Sequence, residues 1–100
     1  GRLYEQRNIA WQMLNDIPGV SCVKPEGAMY CFPKLDPEIY PVQDDEKLML
    51  DLLRAEKVLL VQGTGFNWPT PDHFRVVFLP AENELREAIT RVGRFLAKMR

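Results

Sequence analysis

Arg75 is set inside the apolar run His73-Phe74-Arg75-Val76-Val77-Phe78-Leu79, which follows a Gly63-Thr64-Gly65 turn. Strand-like alternation puts Phe74, Val76 and Phe78 on one face of this run and Arg75, Val77 and Leu79 on the other, so the cation shares its face with aliphatic neighbours. A charge in such a setting is costly without a partner. The guanidinium is a planar fork that grips a carboxylate through two parallel hydrogen bonds and stays protonated at any working pH, which suits it to anchoring an acid substrate. An arginine on a strand also commonly reaches to solvent or pairs with a structural acid, and the run alone leaves both readings open.

Other residues offer less. Cys22 and Cys31 have neither CxxC spacing nor accompanying histidines, which favours buried reduced thiols over a disulfide or a metal site. His73 lacks a recognisable partner motif for general-base chemistry. Tyr30 and Phe66 read as packing residues, and Trp68 lies in a loop between them and the Arg75 strand.

Composition narrows the function classes. The 100 residues are 46% hydrophobic and 27% charged with a net charge of −1, an ordinary balance for one globular domain and a poor one for a nucleic-acid backbone binder. No apolar run has bilayer length and no signal-peptide pattern appears, so no membrane partner and a cytoplasmic location are expected. Gly1 stands where an initiator methionine would, and the helical pattern from Arg2 to Asp16 has no capping residue ahead of it. The expectation is a chain that starts inside a longer helix of a larger protein.

The elements that must position Arg75 follow from periodicity. Ile9, Met13 and Ile17, flanked by Ala10 and Leu14, give the first helix its apolar stripe, and Pro18-Gly19 ends it. Val20 to Val23 and Ala28 to Phe32 read as a hairpin around Lys24-Pro25-Glu26-Gly27. Pro33 to Pro41 reads as an extended loop. A second helix runs from Asp44 or Asp45, either able to cap it, to about Glu56, burying Leu48, Leu52 and Ala55. Val58 to Val61 has no polar alternation and reads as a strand covered on both faces. Gly63 to Asp72 has the composition of a shaped binding loop. A last helix from about Glu82 to Met99 places Leu85, Ile89, Val92 and Leu96 on one side. Such a set buries its apolar faces as an α/β two-layer sandwich, in which a small mixed, largely antiparallel sheet packs against helices.

Three segments, Pro25-Glu26-Gly27-Ala28-Met29-Tyr30-Cys31-Phe32-Pro33, Val61-Gln62-Gly63-Thr64-Gly65-Phe66 and His73-Phe74-Arg75-Val76-Val77-Phe78-Leu79-Pro80, together resemble the C-terminal small domain of the pyridoxal-phosphate-dependent class I/II aminotransferases. The Gly-Ala-Met-Tyr and His-Phe-Arg…Leu-Pro wording is most similar to the bacterial alanine (glutamate–pyruvate) branch. The resemblance implies that residues 1–100 are one domain of a larger, commonly dimeric enzyme and that Arg75 holds the substrate α-carboxylate. It also implies that pyridoxal 5'-phosphate is bound by a large domain not included here, so that this fragment alone is inactive and holds no catalytic or cofactor-binding residue. A Schiff-base lysine needs a desolvated pocket, and Lys24, Lys34, Lys47, Lys57 and Lys98 lie in turns or at helix surfaces. Gln62 and Asn67 depart from the family wording, where proline and glycine are usual, which bears on the loop and leaves Arg75 untouched. The alternative is a non-catalytic amino-acid-binding regulatory module, since fold does not fix function. A further alternative is an interaction domain that presents Phe66 and Trp68.

Overall fold

A computed structural model describes residues 2–25, 30–66, 68–77 and 81–100, the side chains at positions 2, 3 and 66 excepted. Helix α1 (Arg2–Asp16) is followed by the short strands β1 (Val20–Ser21), β2 (Tyr30–Cys31) and β3 (Lys34–Leu35). Helix α2 (Asp45–Glu56), strand β4 (Val61–Gln62), a 3-10 turn (Gly63–Phe66), strand β5 (Phe74–Val77) and helix α3 (Glu82–Ala97) complete the order. The helices and one face of the sheet enclose a core whose innermost side chains include Leu14, Cys31, Leu35, Tyr40, Leu52, Phe74, Leu85 and Ile89. This is the expected two-layer arrangement.

The helical stripes fall close to where periodicity puts them. Leu85, Ile89, Val92 and Leu96 are all buried in α3, and Leu48 and Leu52 in α2. Ala55, expected inside, is exposed, and Glu56 takes the buried place instead. Arg94 explains this inversion: its Nε lies 3.1 Å from both Glu56 carboxylate oxygens, while Arg91 Nη1 donates to the Glu56 carbonyl at 3.0 Å. Two arginines of α3 thus bind the carboxyl end of α2. That end is closed by Lys57 in the left-handed conformation (φ 60°), its N–H reaching the Leu53 carbonyl at 2.9 Å.

The strands correct the sequence reading in three places. First, β1 does not form a hairpin with β2. It pairs antiparallel with β3, Val20 opposite Leu35, while β2 pairs antiparallel with β5, Tyr30 opposite Val77; of the turn proposed to join them, residues 26 and 27 lie outside the described residues. Second, Lys34 and Leu35 make a strand inside a segment read as loop. Third, Val58 to Val61 is not covered on both faces: Val58 is buried, Leu59 is 72% exposed, and only Val61–Gln62 forms ladder. The sheet order β2-β5-β4 leaves β4 at an edge, and helices cover one face only, so an unbroken apolar run alternates between core and surface. All described strand pairs are antiparallel.

The two small sheets meet at His73. A bridge pairs it with Lys34, and Leu35 N–H donates to the Asp72 carbonyl at 2.7 Å. The start of β5 is therefore tied to β3 on one side and, through Gly63 N–H to the His73 carbonyl at 2.8 Å, to β4 on the other.

Candidate carboxylate site

Arg75 occupies the second position of β5, whose residues alternate between core and outer face. Phe74 and Val76, with Cys31 opposite Val76, point into the core. Directly opposed residues of an antiparallel ladder share a face. Arg75 with its partner Val61, and Val77 with its partner Tyr30, therefore form the outer face. Its guanidinium carbon lies 5.2 Å from the centroid of the Tyr30 ring, within cation–π range. Tyr30, read from sequence as packing, is 38% exposed and walls the cation on one side.

Arg75 also borders a cavity of about 610 Å³ between the β4 edge and α3. Leu60, Val61 and Val77 supply apolar surface there, and Arg91, which borders it too, pairs with Glu87 at 3.0 Å. A partly buried guanidinium on an apolar face beside open space is chemically equipped to hold a small carboxylate.

The loop that follows β4 is built tightly against the start of β5. A Cβ placed on Gly63 would stand 2.9 Å from the His73 carbonyl oxygen and 3.2 Å from Phe32 Cζ, so only glycine lets the two backbones approach this closely. Trp68 N–H returns to the Gly63 carbonyl at 3.3 Å. Its ring lies 4.4 Å from that of His73 and 5.2 Å from Phe32, and Phe32 stacks on His73 at 4.7 Å. Trp68 is thus packed against Phe32 and His73 while remaining 39% exposed. Phe66's side chain and Asn67 lie outside the described residues.

Two acids, Asp72 and Asp45, whose contacts with this loop the sequence reading did not assign, organise it. Asp72 Oδ1 accepts from Trp68 Nε1 at 3.2 Å and Thr70 Oγ1 at 2.6 Å, and lies 2.8 Å from His73 Nδ1. Burial by itself would raise the Asp72 carboxyl, but the bonds from Thr70, His73 and Trp68 outweigh it and hold it down at about 2. His73 therefore has a partner in the adjacent residue, and its ring is enclosed between two aromatics. Asp45 is the second acid. It is 4% exposed and accepts from Thr64 N–H at 3.0 Å and Thr64 Oγ1 at 2.6 Å. The available signal was the doubled Asp44-Asp45, since a helix needs one N-cap and Asp44 fills that role through Lys47 N–H at 3.1 Å. Gln62, a departure from the family wording, lies 3.4 Å from Glu46.

The remaining candidates stand apart from Arg75's face. All five lysines are exposed. Cys22 and Cys31 are buried free thiols; the Cys22–Cys31 hydrogen bond, burial and the Cys22 charge push the Cys31 thiol far up. Among the described residues no group of three or more His, Cys, Asp or Glu side chains could hold a metal ion, and no helix is long and apolar enough to cross a membrane.

Comparison with known proteins shows the family. The family model for aminotransferase class I and II matches residues 1–92. The chain is 64% identical over 100 residues to an alanine aminotransferase of Mycobacterium tuberculosis, covering 100% of this chain and 23% of that protein. It is 60% identical over 97 residues to the glutamate-pyruvate aminotransferase AlaA of Escherichia coli, covering 97% of this chain and 24% of that protein. A solved aminotransferase from Escherichia coli superposes with a TM-score of 0.94 at 60% identity, and an alanine aminotransferase from Pyrococcus furiosus with 0.88 at 41%, each over 97% of this chain and 24% of the other. The chain spans about a quarter of the length of the curated relatives it matches.

Proposed function

This chain belongs to the class I and II aminotransferases, and from that membership we propose that it is the C-terminal, substrate-closing domain of an enzyme exchanging an amino group between alanine and 2-oxoglutarate. Pyruvate and glutamate are the products. The observation that carries the reading is Arg75 on the open sheet face, beside Tyr30 and two residues beyond the point where Gly63 meets His73. In this reading the guanidinium grips the substrate α-carboxylate at two points. A two-point grip fixes which bond at Cα faces the reacting centre, so it orients as well as binds.

Pyridoxal 5'-phosphate is the cofactor of this family, and it supplies the electron sink for amino-group transfer. Every lysine is exposed and none has the desolvated setting a cofactor-bonding amine requires. We therefore assign cofactor binding to a separate large domain and expect the isolated chain to be inactive. Closure of this domain over the substrate excludes water from the reaction. A homodimer in the cytoplasm completes the proposal, and two buried free thiols are compatible with a reducing compartment.

Substitution Arg75→Lys in the full-length protein tests the assignment. One ammonium cannot reproduce the fork, and loss of such a bond lowers kcat/KM for alanine and glutamate by at least about tenfold. Undiminished kcat/KM for both amino acids would remove Arg75 from this role.

A further inference from the structure

Asp45 presents an unusual arrangement. It stands in the first turn of α2, is 4% exposed, and gives both carboxylate oxygens to a single residue, Thr64. A carboxylate out of water is stable only when hydrogen-bonded, and bonds to an ionised acceptor are about twice as strong as neutral ones. The helix does not need Asp45 as its cap, because Asp44 serves. The buried acid is committed to the turn.

Thr64 follows Gly63, whose N–H extends the β4–β5 ladder to His73. That ladder has two registered pairs, Val61 opposite Arg75 and Gln62 opposite Phe74. A strand of two residues at a sheet edge has little of its own to hold its register. The clasp from α2 supplies it, reinforced by Gln62 Nε2 to Glu46 at 3.4 Å.

We propose that the Asp45–Thr64 clasp is a positioning device for Arg75, fixing the β4 backbone beside the guanidinium and so setting how well the site takes a substrate carboxylate. Asp45 and Thr64 act through β4 and its ladder to β5. The proposal rests on the reading of Arg75 as the carboxylate anchor.

The test uses the full-length holoenzyme and two amines, alanine and ethylamine, which is alanine without its carboxylate. The ratio of their kcat/KM values measures carboxylate recognition alone. Thr64→Val removes the hydroxyl donor at nearly constant volume, and Asp45→Asn removes the charge; each lowers the ratio roughly five- to tenfold, carried in KM for alanine. Thr64→Ser keeps both donors and stays within about twofold of wild type. Equal losses on both amines, or none, in folded variants with intact cofactor absorbance overturn the proposal. Thr64→Ala, which leaves Asp45 the backbone N–H, substitutes if either variant fails to fold. Arg75→Lys is run alongside. An unchanged ratio in that variant refutes the anchor reading, whereas a lowered ratio there with none in the clasp variants refutes the clasp alone.

Discussion

Asn15 and Cys22 exchange hydrogen bonds in both directions: Asn15 Oδ1 accepts from Cys22 N–H at 2.9 Å, and Asn15 Nδ2 donates to the Cys22 carbonyl at 2.9 Å. Trp11 Nε1 adds a second bond to that carbonyl at 2.9 Å. The backbone of Cys22 is thereby fully occupied by side chains of α1. These side chains satisfy the Cys22 backbone as a neighbouring strand would, and β1 ends one residue earlier, at Ser21.

Asn15→Ala removes both directions of that exchange together with the bond to the Trp11 carbonyl at 2.8 Å. The expected cost is about 1–2 kcal/mol, because Asn15 lies at the surface where water replaces part of what is lost. Urea denaturation measures it, and a midpoint equal to wild type would show that the exchange does not anchor β1.

Tyr30 tests the wall beside Arg75. Tyr30→Phe keeps the ring face and leaves KM for alanine near wild type, whereas Tyr30→Leu removes the ring and raises it by about two- to fivefold. Steady-state kinetics of the full-length protein decide this. Equal KM values for the two variants would mean that the ring does not hold the cation.

Gly63→Ala forces a Cβ to 2.9 Å from the His73 carbonyl oxygen, a backbone atom that cannot turn aside. The strands must separate, at a cost of about 1–3 kcal/mol. Melting temperature and kcat/KM for alanine are expected to fall together, since the same displacement reaches Arg75. A variant that melts lower with full kcat/KM would separate the turn from the proposed carboxylate site.

Asp72 carries a pH signature. Its carboxyl sits at about 2 in the folded chain against an ordinary value of 3.8. A depressed folded-state pKa means stabilisation that is complete above the ordinary value and is lost as pH falls toward 2. Asp72→Asn is therefore less stable than wild type at pH 7, and the gap narrows as denaturation is repeated down to pH 3. A gap independent of pH would show that the charge of Asp72 contributes nothing.

Much of the fold was legible because it depends on local periodicity. The apolar spacing of α2 and α3 specifies which side each helix buries, and Arg75 stands out because a permanent cation interrupts an apolar strand. The resemblance carried by the segments around Gly27, Gly63 and Arg75 reached the family that comparison of the whole chain then showed. Strand pairing was not legible in the same way. Val58 to Val61 reads as an interior strand by composition, yet it lies at an edge, because which strand takes the centre depends on residues far away in the chain.

The helices, the strand that bears the cation and the glycine that lets the loop approach it can all be read from the residues, since each follows from near neighbours and backbone sterics. Long-range packing, by contrast, brings Asn15 onto the Cys22 backbone, buries Glu56 against Arg94 and joins Asp45 to Thr64 across 19 residues. Charged and amide side chains carry no periodicity that names their partner. Burial makes each such group costly until a partner meets it, and where that meeting occurs is fixed by the packing of the whole chain.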